Sequence, residues 1–229
     1  MKNIFRKVTY LISLVKQGEL KFLWSGISKR IYSENVSYGL KRDLNVEIPT
    51  PPSLLKLSFR PFREEDAPYF ELDKNNHGIL DKQIDYCFVA TKDDVPVYRV
   101  WIMDASQNEK IKEFWGDSFP PLKTNEALVE NSFTVPKYRG FGIMPYAMKI
   151  IAEKGLDFGA DTTIIYTATD HLVSLRAGDY AGYHPFNLRK EKWFLFKRTT
   201  SFQDEIPEEL MEHYKKVTQR KRRVKKSTK

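Results

Sequence analysis

The sequence is poor in the residues that build disulfides and metal sites. Its 229 residues include one cysteine, Cys87, and four histidines. A single cysteine forms no disulfide within the chain and excludes a cysteine-rich metal centre, and the histidines show no ligand spacing. We therefore expect no metal cofactor, and we interpret Cys87 as a small buried residue of a strand. The scarcity of cysteine favours a reducing, cytoplasmic compartment.

Long apolar runs are also missing from the N-terminal region. Residues Val8 to Val15 are mostly apolar and follow three basic residues, but a helix needs about 20 apolar residues to span a bilayer. No small-residue cleavage site follows, so we predict neither a transmembrane helix nor a signal peptide here.

The first 45 residues carry apolar side chains at helical spacing with basic residues between them, which predicts a helical arm. Two interpretations remain open for this arm. It packs on the following domain, or it forms a basic amphipathic surface for a membrane or an acidic partner. The second interpretation adds a peripheral location at a membrane surface to the cytoplasmic prediction.

Acidic residues are missing from the C-terminal tail. Lys215 to Lys229 contains nine Lys or Arg and no acid, whereas the formal net charge of the whole chain is +8. The rest of the chain is therefore almost neutral. The tail is interpreted as a solvated, disordered segment, or as a binding site for an anionic partner such as a membrane surface or nucleic acid. It lacks the aromatic residues that stack on bases.

Hydrophobic residues make up 41% of the chain and aromatic residues 14%, which is enough for a sizeable core. Three prolines between residues 49 and 52 predict a linker, because they cannot continue a helix. We therefore divide the chain into an N-terminal helical arm and linker (1–48), one domain (49–204), and a C-terminal helix with the basic tail (205–229).

Within the domain, the patterns predict the order strand, helix, two strands, connection, strand, helix, strand, helix, strand, the last strand at residues 193–197. This order implies an α/β (α+β) fold with a mixed, largely antiparallel sheet. Helices flank the sheet, and one of them forms a crossover in the middle.

The predicted crossover begins at a glycine-containing turn. A strand ending at Val135 leads into Arg139-Gly-Phe-Gly142, and a helix with Pro145 in its first turn follows directly. Glycines permit a tight turn and a close ligand, while the helix start offers unpaired N–H groups and a positive dipole end. The turn therefore predicts a phosphate-binding site. It is neither a Walker loop, which would continue Gly-Lys-Ser/Thr, nor a dinucleotide-binding fingerprint.

At these residues the chain resembles the GNAT family, the GCN5-related N-acetyltransferases. The family signature Arg/Gln-x-x-Gly-x-Gly/Ala reads Arg139-Gly-Phe-Gly-Ile-Met144 here, with methionine in the last position. A second family pattern, Asn-x-x-Ser followed by Gly-Phe, reads His171-Leu-Val-Ser174 and Gly182-Tyr183. The resemblance covers roughly residues 55–198.

The resemblance implies a GNAT-type sheet and an N-acyltransferase that uses acetyl-CoA or another acyl-CoA as co-substrate. The acceptor would be an amine on a small molecule, a sugar nucleotide or a protein. The resemblance further implies a set of coenzyme-binding positions in the strand, the turn and the second motif: Phe133, Thr134, Val135, Arg139, Gly140, Phe141, Gly142, Ile143, Met144, His171 and Ser174.

The candidate general base is Glu130. Strand alternation places Glu130, Ser132 and Thr134 on one face, and a polar face in a central strand is unfavourable unless it lines a cleft. For the acid, many family members carry a tyrosine four residues after the serine, where this chain has Gly178. Tyr180 is the candidate instead.

An alternative function follows from two departures from the family pattern, at Met144 and Gly178. The chain would then be a catalytically inactive GNAT-fold module that binds acyl-CoA or associates with nucleic acid or a membrane. The sequence leaves the acyl chain length, the acceptor and the oligomeric state open.

Overall fold

The computed structural model describes residues 20–73, 79, 84 and 86–219. Within them, eight strands form one sheet: β1 Tyr32–Asp43, β2 Ser58–Pro61, β3 Cys87–Lys92, β4 Val95–Asp104, β5 Glu126–Thr134, β6 Thr162–Ala168, β7 His184–Phe194 and β8 Lys197–Gln203. The α-helices are α1 Leu20–Ile31, α2 Asn108–Trp115, α3 Ile143–Ala152, α4 Leu172–Tyr180 and α5 Glu208–Thr218. Short 3-10 helices cover Glu64–Phe70, Ala105–Gln107, Gly116–Ser118, Pro136–Tyr138 and Glu153–Phe158.

The strand order is β2-β3-β4-β5-β6-β1-β7-β8. The pair β5–β6 is parallel, and the other paired strands are antiparallel. The chain between β5 and β6 contains α3, because parallel neighbours need a crossover connection. The predicted fold class is therefore confirmed: a mixed, largely antiparallel sheet flanked by helices, with one helical crossover at its centre.

Strand β1 corrects the prediction of a helical arm over the first 45 residues. The helix ends at Ile31, and β1 pairs with β6 on one side and β7 on the other. Tyr38 and Leu40 are fully buried, and their alternation with polar neighbours is a strand pattern. The sheet thus begins within the segment assigned to the arm. Residues 1–19 of that arm lie outside the described residues.

The C-terminal end of the sheet corrects a second prediction. Residues 193–197, predicted as one strand, contain the two-residue turn between β7 and β8, formed by Leu195 and Phe196. An unbroken apolar sequence gave no turn signal there, because such turns usually contain Asn and Gly. The basic tail begins inside α5, and residues 220–229 lie outside the described part of the chain.

Two apolar clusters cover the two faces of the sheet. On face A, α3, α4 and α5 pack against residues such as Tyr38, Val100 and Ile102. On face B, α2 and the segment after it pack against residues such as Trp101 and Met103. Successive residues of β4 thus alternate between the two clusters, as the pleat of a strand requires.

Candidate functional site

The two parallel strands at the centre of the sheet separate toward their carboxyl ends. They pair from Glu126 and Thr162 to Leu128 and Ile164, after which the pairing stops. Each strand continues, β5 to Thr134 and β6 to Ala168. We call the space between these diverging ends the gap. Backbone groups along it need partners other than a neighbouring strand, and ligands of α/β proteins bind at the carboxyl ends of strands.

A β-bulge in β5 borders the gap. Arg99 of β4 is opposite Phe133 of β5, and Trp101 is opposite Glu130. Only Val100 lies between Arg99 and Trp101, whereas two residues, Asn131 and Ser132, lie between Glu130 and Phe133. Asn131 is buried and has a φ of +55°, which is uncommon for a residue other than glycine. Bulges reorient side chains and occur often beside active sites.

The bulge corrects the predicted alternation. Glu130 is opposite Trp101 and Thr134 is opposite Tyr98, and residues three apart in β4 point to opposite faces. Glu130 therefore lies on face B. Thr134 and Ser132 lie on face A, the face of Tyr98. The prediction that Glu130, Ser132 and Thr134 share one face is wrong, although Glu130 still lies where the gap begins.

Glu130 has the environment of a proton acceptor. Its side chain is half-buried, and desolvation raises the pKa of its carboxyl group. A hydrogen bond from the Asn131 N–H and the charge of Arg189 oppose this shift, while Glu191 adds to it. A raised pKa brings a carboxylate closer to the pH at which a base is most effective.

This raised pKa predicts a pH-dependent stability effect of Glu130→Gln. In the unfolded chain the carboxyl titrates near its ordinary value of about 4.3, below its pKa in the folded chain. Ionised Glu130 therefore destabilises the fold, fully so above the folded-state pKa, and this cost vanishes at acidic pH. We expect the variant to unfold at a higher temperature than the wild-type protein at pH 8, with the difference shrinking toward pH 4.5. Thermal unfolding at both pH values measures this, and a lower midpoint for the variant at pH 8 would contradict it.

Tyr166 on β6 was not predicted from the sequence. Leu128 pairs with Ile164, so extending this register by two residues places Tyr166 opposite Glu130, across the gap. Both side chains lie on face B. The Arg189 guanidinium lies 5.0 Å from the Tyr166 ring centroid and 5.1 Å from that of Phe119. Arg189 also donates a hydrogen bond to the backbone oxygen of Ser118, at 3.1 Å. The Tyr166 phenol, the Arg189 guanidinium and the Phe119 ring thus form one group on face B, the face on which Glu130 lies.

Asn187 completes this group. Its Nδ2 donates to the Tyr166 hydroxyl at 3.3 Å, while its Oδ1 is buried without a hydrogen-bond partner. A Cβ on Gly39 would lie 1.8 Å from that Oδ1, so glycine in β1 leaves room for the amide. Because β7 was predicted only as a short strand at 193–197, its inward-facing residues Asn187 and Arg189 were not recognised as site candidates.

The glycine turn lies at the other end of β5. Gly140 and Gly142 have φ values of +84° and +75°, and Gly142 caps the N-terminus of α3. A Cβ on Gly142 would lie 2.5 Å from the Pro52 carbonyl oxygen, whereas one on Gly140 would meet nothing within 4 Å. Gly142 therefore accommodates the proline-containing linker, and Gly140 borders open space. The linker also bonds to the turn, since the Leu54 N–H donates to the Phe141 oxygen at 2.9 Å.

Helix α3 presents its N-terminus at this turn. Ile143 is buried, and the partly buried Met144 packs against the cluster on face A. The methionine side chain is thus part of the core. N–H groups of a first helical turn lack intrahelical partners and attract anions, so this end of α3 is suited to phosphate.

The positions predicted to contact the coenzyme along β5 differ in orientation. The Val135 N–H donates to the Val97 oxygen at 3.0 Å. Backbone groups alternate along a strand, so those of Phe133 and Val135 face β4, whereas those of Thr134 face the gap. Arg139 reaches back to this point, and its Nε donates to the Thr134 oxygen at 3.2 Å.

The second motif lies at the start of α4. His171 is exposed and its side chain makes no capping hydrogen bond to the helix, and Ser174 is partly buried in the first turn. Because α3 and α4 pack against each other, His171 and Ser174 lie on the helix beside the crossover. Their predicted contacts with coenzyme A remain predictions.

Tyr180, the predicted acid, and the nearby Tyr183 differ in exposure. Tyr180 is the last residue of α4 and is 39% exposed, about 12 Å along the helix axis from Leu172. Tyr183 is fully buried, accepts a hydrogen bond from Thr163 and has a pKa raised to about 12 by burial. A side chain on Gly178 would meet Ile165 at 3.1 Å. The core therefore fills the place where many family members carry a tyrosine.

Other reactive groups are sparse in the described part of the chain. Burial raises the pKa of the Cys87 thiol, which disfavours the reactive thiolate. Among residues 20–73, 79, 84 and 86–219, no three His, Cys, Asp or Glu side chains come together as a metal site. None of the helices described is both long and apolar enough to cross a bilayer.

Comparisons with known proteins support the fold. No family model matches the chain, and no curated protein is significantly similar to it in sequence. Solved structures do match. A fungal multidomain β-N-acetylglucosaminidase contains a region described as a GCN5-related glucosamine N-acetyltransferase, with 14% identity and a TM-score of 0.53 over 75% of this chain and 22% of that one.

A GCN5-related N-acetyltransferase from Sphaerobacter thermophilus gives 11% identity and a TM-score of 0.50, covering 75% of this chain and 56% of that one. A Drosophila protein gives 13% and 0.51, with 80% and 59% covered. The chain thus spans less than two thirds of the length of each. Its fold is that of the GCN5-related N-acetyltransferases, which confirms at the level of fold the resemblance predicted from the sequence.

Proposed function

We propose that this chain transfers an acetyl or other short acyl group from acyl-CoA directly to an amine. The observation that carries the proposal is the arrangement around β5. Glu130 lies on this strand where the gap opens, and the strand then runs into the glycine turn and the N-terminus of α3. The proposed proton acceptor and the proposed anion site thus lie at opposite ends of one gap.

In this proposal, residues along the gap would hold an acyl-CoA molecule. The turn from Arg139 to Met144 and the first-turn N–H groups of α3 would hold the pyrophosphate. Gly140 supports this placement because its α-carbon borders open space. Thr134 directs its backbone groups toward the gap, where the amides of the pantetheine arm would bind as an added strand does. His171 and Ser174 would contact the coenzyme from α4.

The transfer moves protons at both the amine and the sulfur. Glu130, directly or through water, takes a proton from the acceptor ammonium group, and the free amine attacks the thioester carbonyl. A C–N bond forms, and the attacking nitrogen, which now carries a positive charge, loses a second proton to solvent. The C–S bond breaks and the departing sulfur takes a proton, so the products are an amide and a free thiol. The cytoplasmic location favoured by the single cysteine is part of this proposal.

Tyr180, near the position of the family tyrosine, is the proton donor predicted from the sequence, but the geometry favours Tyr166. Tyr166 lies across the gap from Glu130, and burial raises the pKa of its phenol, which keeps it protonated. We expect Tyr166→Phe to lower the rate of thiol release from acetyl-CoA by about 10-fold or more, and Tyr180→Phe by less than about threefold. A thiol-release assay with an amine acceptor measures both. The reverse order would restore Tyr180 as the donor, and thiol release that never depends on an amine would overturn the proposed transfer.

The acceptor would enter from face B. The described walls there combine aromatic rings with Arg189, and aromatic faces pack well against sugar rings. The fungal region with the same fold is described as a glucosamine N-acetyltransferase. Glucosamine and amino-sugar nucleotides are therefore first choices for an acceptor panel, followed by small amines and lysine-containing peptides.

Gly178 favours one alternative, a GNAT-fold module that binds acyl-CoA without catalysis. The core occupies the space of the family tyrosine, so catalysis would depend on another acid. The module would bind acyl-CoA and release no thiol with any amine, which the same assay detects.

A further inference from the structure

Helix α1 exposes an apolar stripe. Leu20, Trp24, Ile27 and Ile31 recur at the spacing of one helical face, which in a folded domain normally packs against a core. Here these side chains are 60%, 70%, 40% and 43% exposed. Within the described residues, the stripe is therefore an apolar surface open to a partner.

The turn between β7 and β8 also exposes large apolar side chains, and its backbone has positive φ values. Leu195 and Phe196 have φ values of +44° and +64° and are 64% and 59% exposed. Bulky residues adopt this left-handed backbone region at a conformational cost, and Asn-Gly fills such two-residue turns more favourably. At the tip of this hairpin, two residues thus combine an unfavourable backbone conformation with large apolar side chains that are exposed to water.

The stripe and the turn adjoin each other. The Leu195 N–H donates to the Ile31 oxygen at 2.9 Å, and the Phe196 N–H donates to the Arg30 oxygen at 2.7 Å. Tyr32 and Phe194 are cross-strand partners at the junction, and both are 57% exposed. We call this continuous area the docking surface; its members are Leu20, Trp24, Ile27, Ile31, Tyr32, Phe194, Leu195 and Phe196.

The charges around the docking surface are mainly basic, although Tyr32 donates a hydrogen bond to the exposed carboxylate of Glu34 at 3.1 Å. Residues 20–32 and 192–198 contain no acid, and their basic residues are Lys21, Lys29, Arg30, Lys192, Lys197 and Arg198. Two of these have acidic partners on neighbouring strand positions, Lys192 with Glu34 and Arg198 with Glu191. The remaining cations, Lys21, Lys29, Arg30 and Lys197, alternate in the sequence with the aromatic and aliphatic residues of the docking surface. This combination suits the interface of an anionic bilayer, where apolar side chains insert and cations meet the headgroups.

The excess of positive charge also argues against self-association. In a two-fold dimer the same patch faces itself, and the basic residues of one protomer would then face those of the other, which is unfavourable. We propose that the docking surface binds membranes that contain anionic lipids, with Trp24, Leu195 and Phe196 inserted at the level of the headgroups. This inference is independent of the acyl-transfer proposal.

The sharpest test is the double substitution Leu195→Asn with Phe196→Gly in the full chain. It installs the residues that the turn geometry prefers, so the hairpin is kept and the unfolding midpoint should rise. Sedimentation with phosphatidylcholine vesicles containing phosphatidylserine should show at least about 10-fold weaker binding, since burying each side chain would contribute strongly to affinity. Leu156→Asn, at a 49% exposed residue outside the docking surface, is the control and should bind as the wild-type chain does.

Three results would overturn the proposal. The first is failure of the wild-type chain to bind vesicles containing phosphatidylserine. The second is equal binding to vesicles of phosphatidylcholine alone, since it would remove the role of the basic residues. The third is unchanged vesicle binding in the double variant; if light scattering then showed that this variant dissociates an oligomer, the partner would be a second copy of the chain.

Discussion

Replacing Glu130 by glutamine is expected to lower kcat/KM for amine acylation by about 10²- to 10³-fold, the usual contribution of a general base. The amide is nearly isosteric with the carboxylate but cannot accept the proton of the amine. Because Glu130 lies at the opening of the gap, at the other end of β5 from the glycine turn, acyl-CoA affinity should stay within about twofold. Thiol release and calorimetric titration of acyl-CoA separate the two effects.

Glu126→Gln provides the matched control. Glu126 belongs to the same strand and accepts a hydrogen bond from the Lys123 backbone N–H, but it lies where β5 and β6 are still paired. Its replacement should change the rate by less than about threefold. The wild-type rate should also rise with pH through the raised pKa of Glu130, and Glu130→Gln should lose this dependence. Full activity of Glu130→Gln would eliminate Glu130 as the base.

Replacing Gly140 by valine is expected to weaken acyl-CoA binding by about 10-fold or more, since a side chain at this turn would occupy the space proposed for the pyrophosphate. The comparison is Gly159→Val. Both glycines have φ values near +85°, and a Cβ on either would meet nothing within 4 Å. The two variants should therefore lose similar stability from backbone strain, while only Gly140→Val should lose coenzyme affinity.

Calorimetric titration with acetyl-CoA and thermal unfolding of both variants measure this difference. Gly142 is less suitable, because a side chain there would also displace the linker at Pro52. Equal acetyl-CoA affinity for Gly140→Val and Gly159→Val would place the pyrophosphate elsewhere.

The parts of the site that could be predicted from the sequence are those with local causes. Glycines with positive φ followed by a helix start specify the Arg139–Met144 turn over a few residues. The resemblance to the GNAT family then supplied the fold, which the sheet order and the solved structures confirm.

The remaining features depend on contacts distant in the chain. The bulge at Asn131 is set by pairing with β4, so alternation along β5 alone misplaced Thr134 relative to Glu130. Tyr166 and Arg189 meet near Glu130 only because β1 lies between β6 and β7. Since β1 was predicted as helix, no sequence pattern placed Arg189 near the gap.

The most direct test of the proposed activity is to incubate the chain with isotope-labelled acetyl-CoA and a panel of amines, and to follow free thiol and product mass together. The proposed function predicts that thiol and an N-acetylated amine appear in equal amounts, and that both depend on Glu130. Tight binding of acetyl-CoA without thiol release from any amine in the panel would contradict catalysis and leave a coenzyme-binding module.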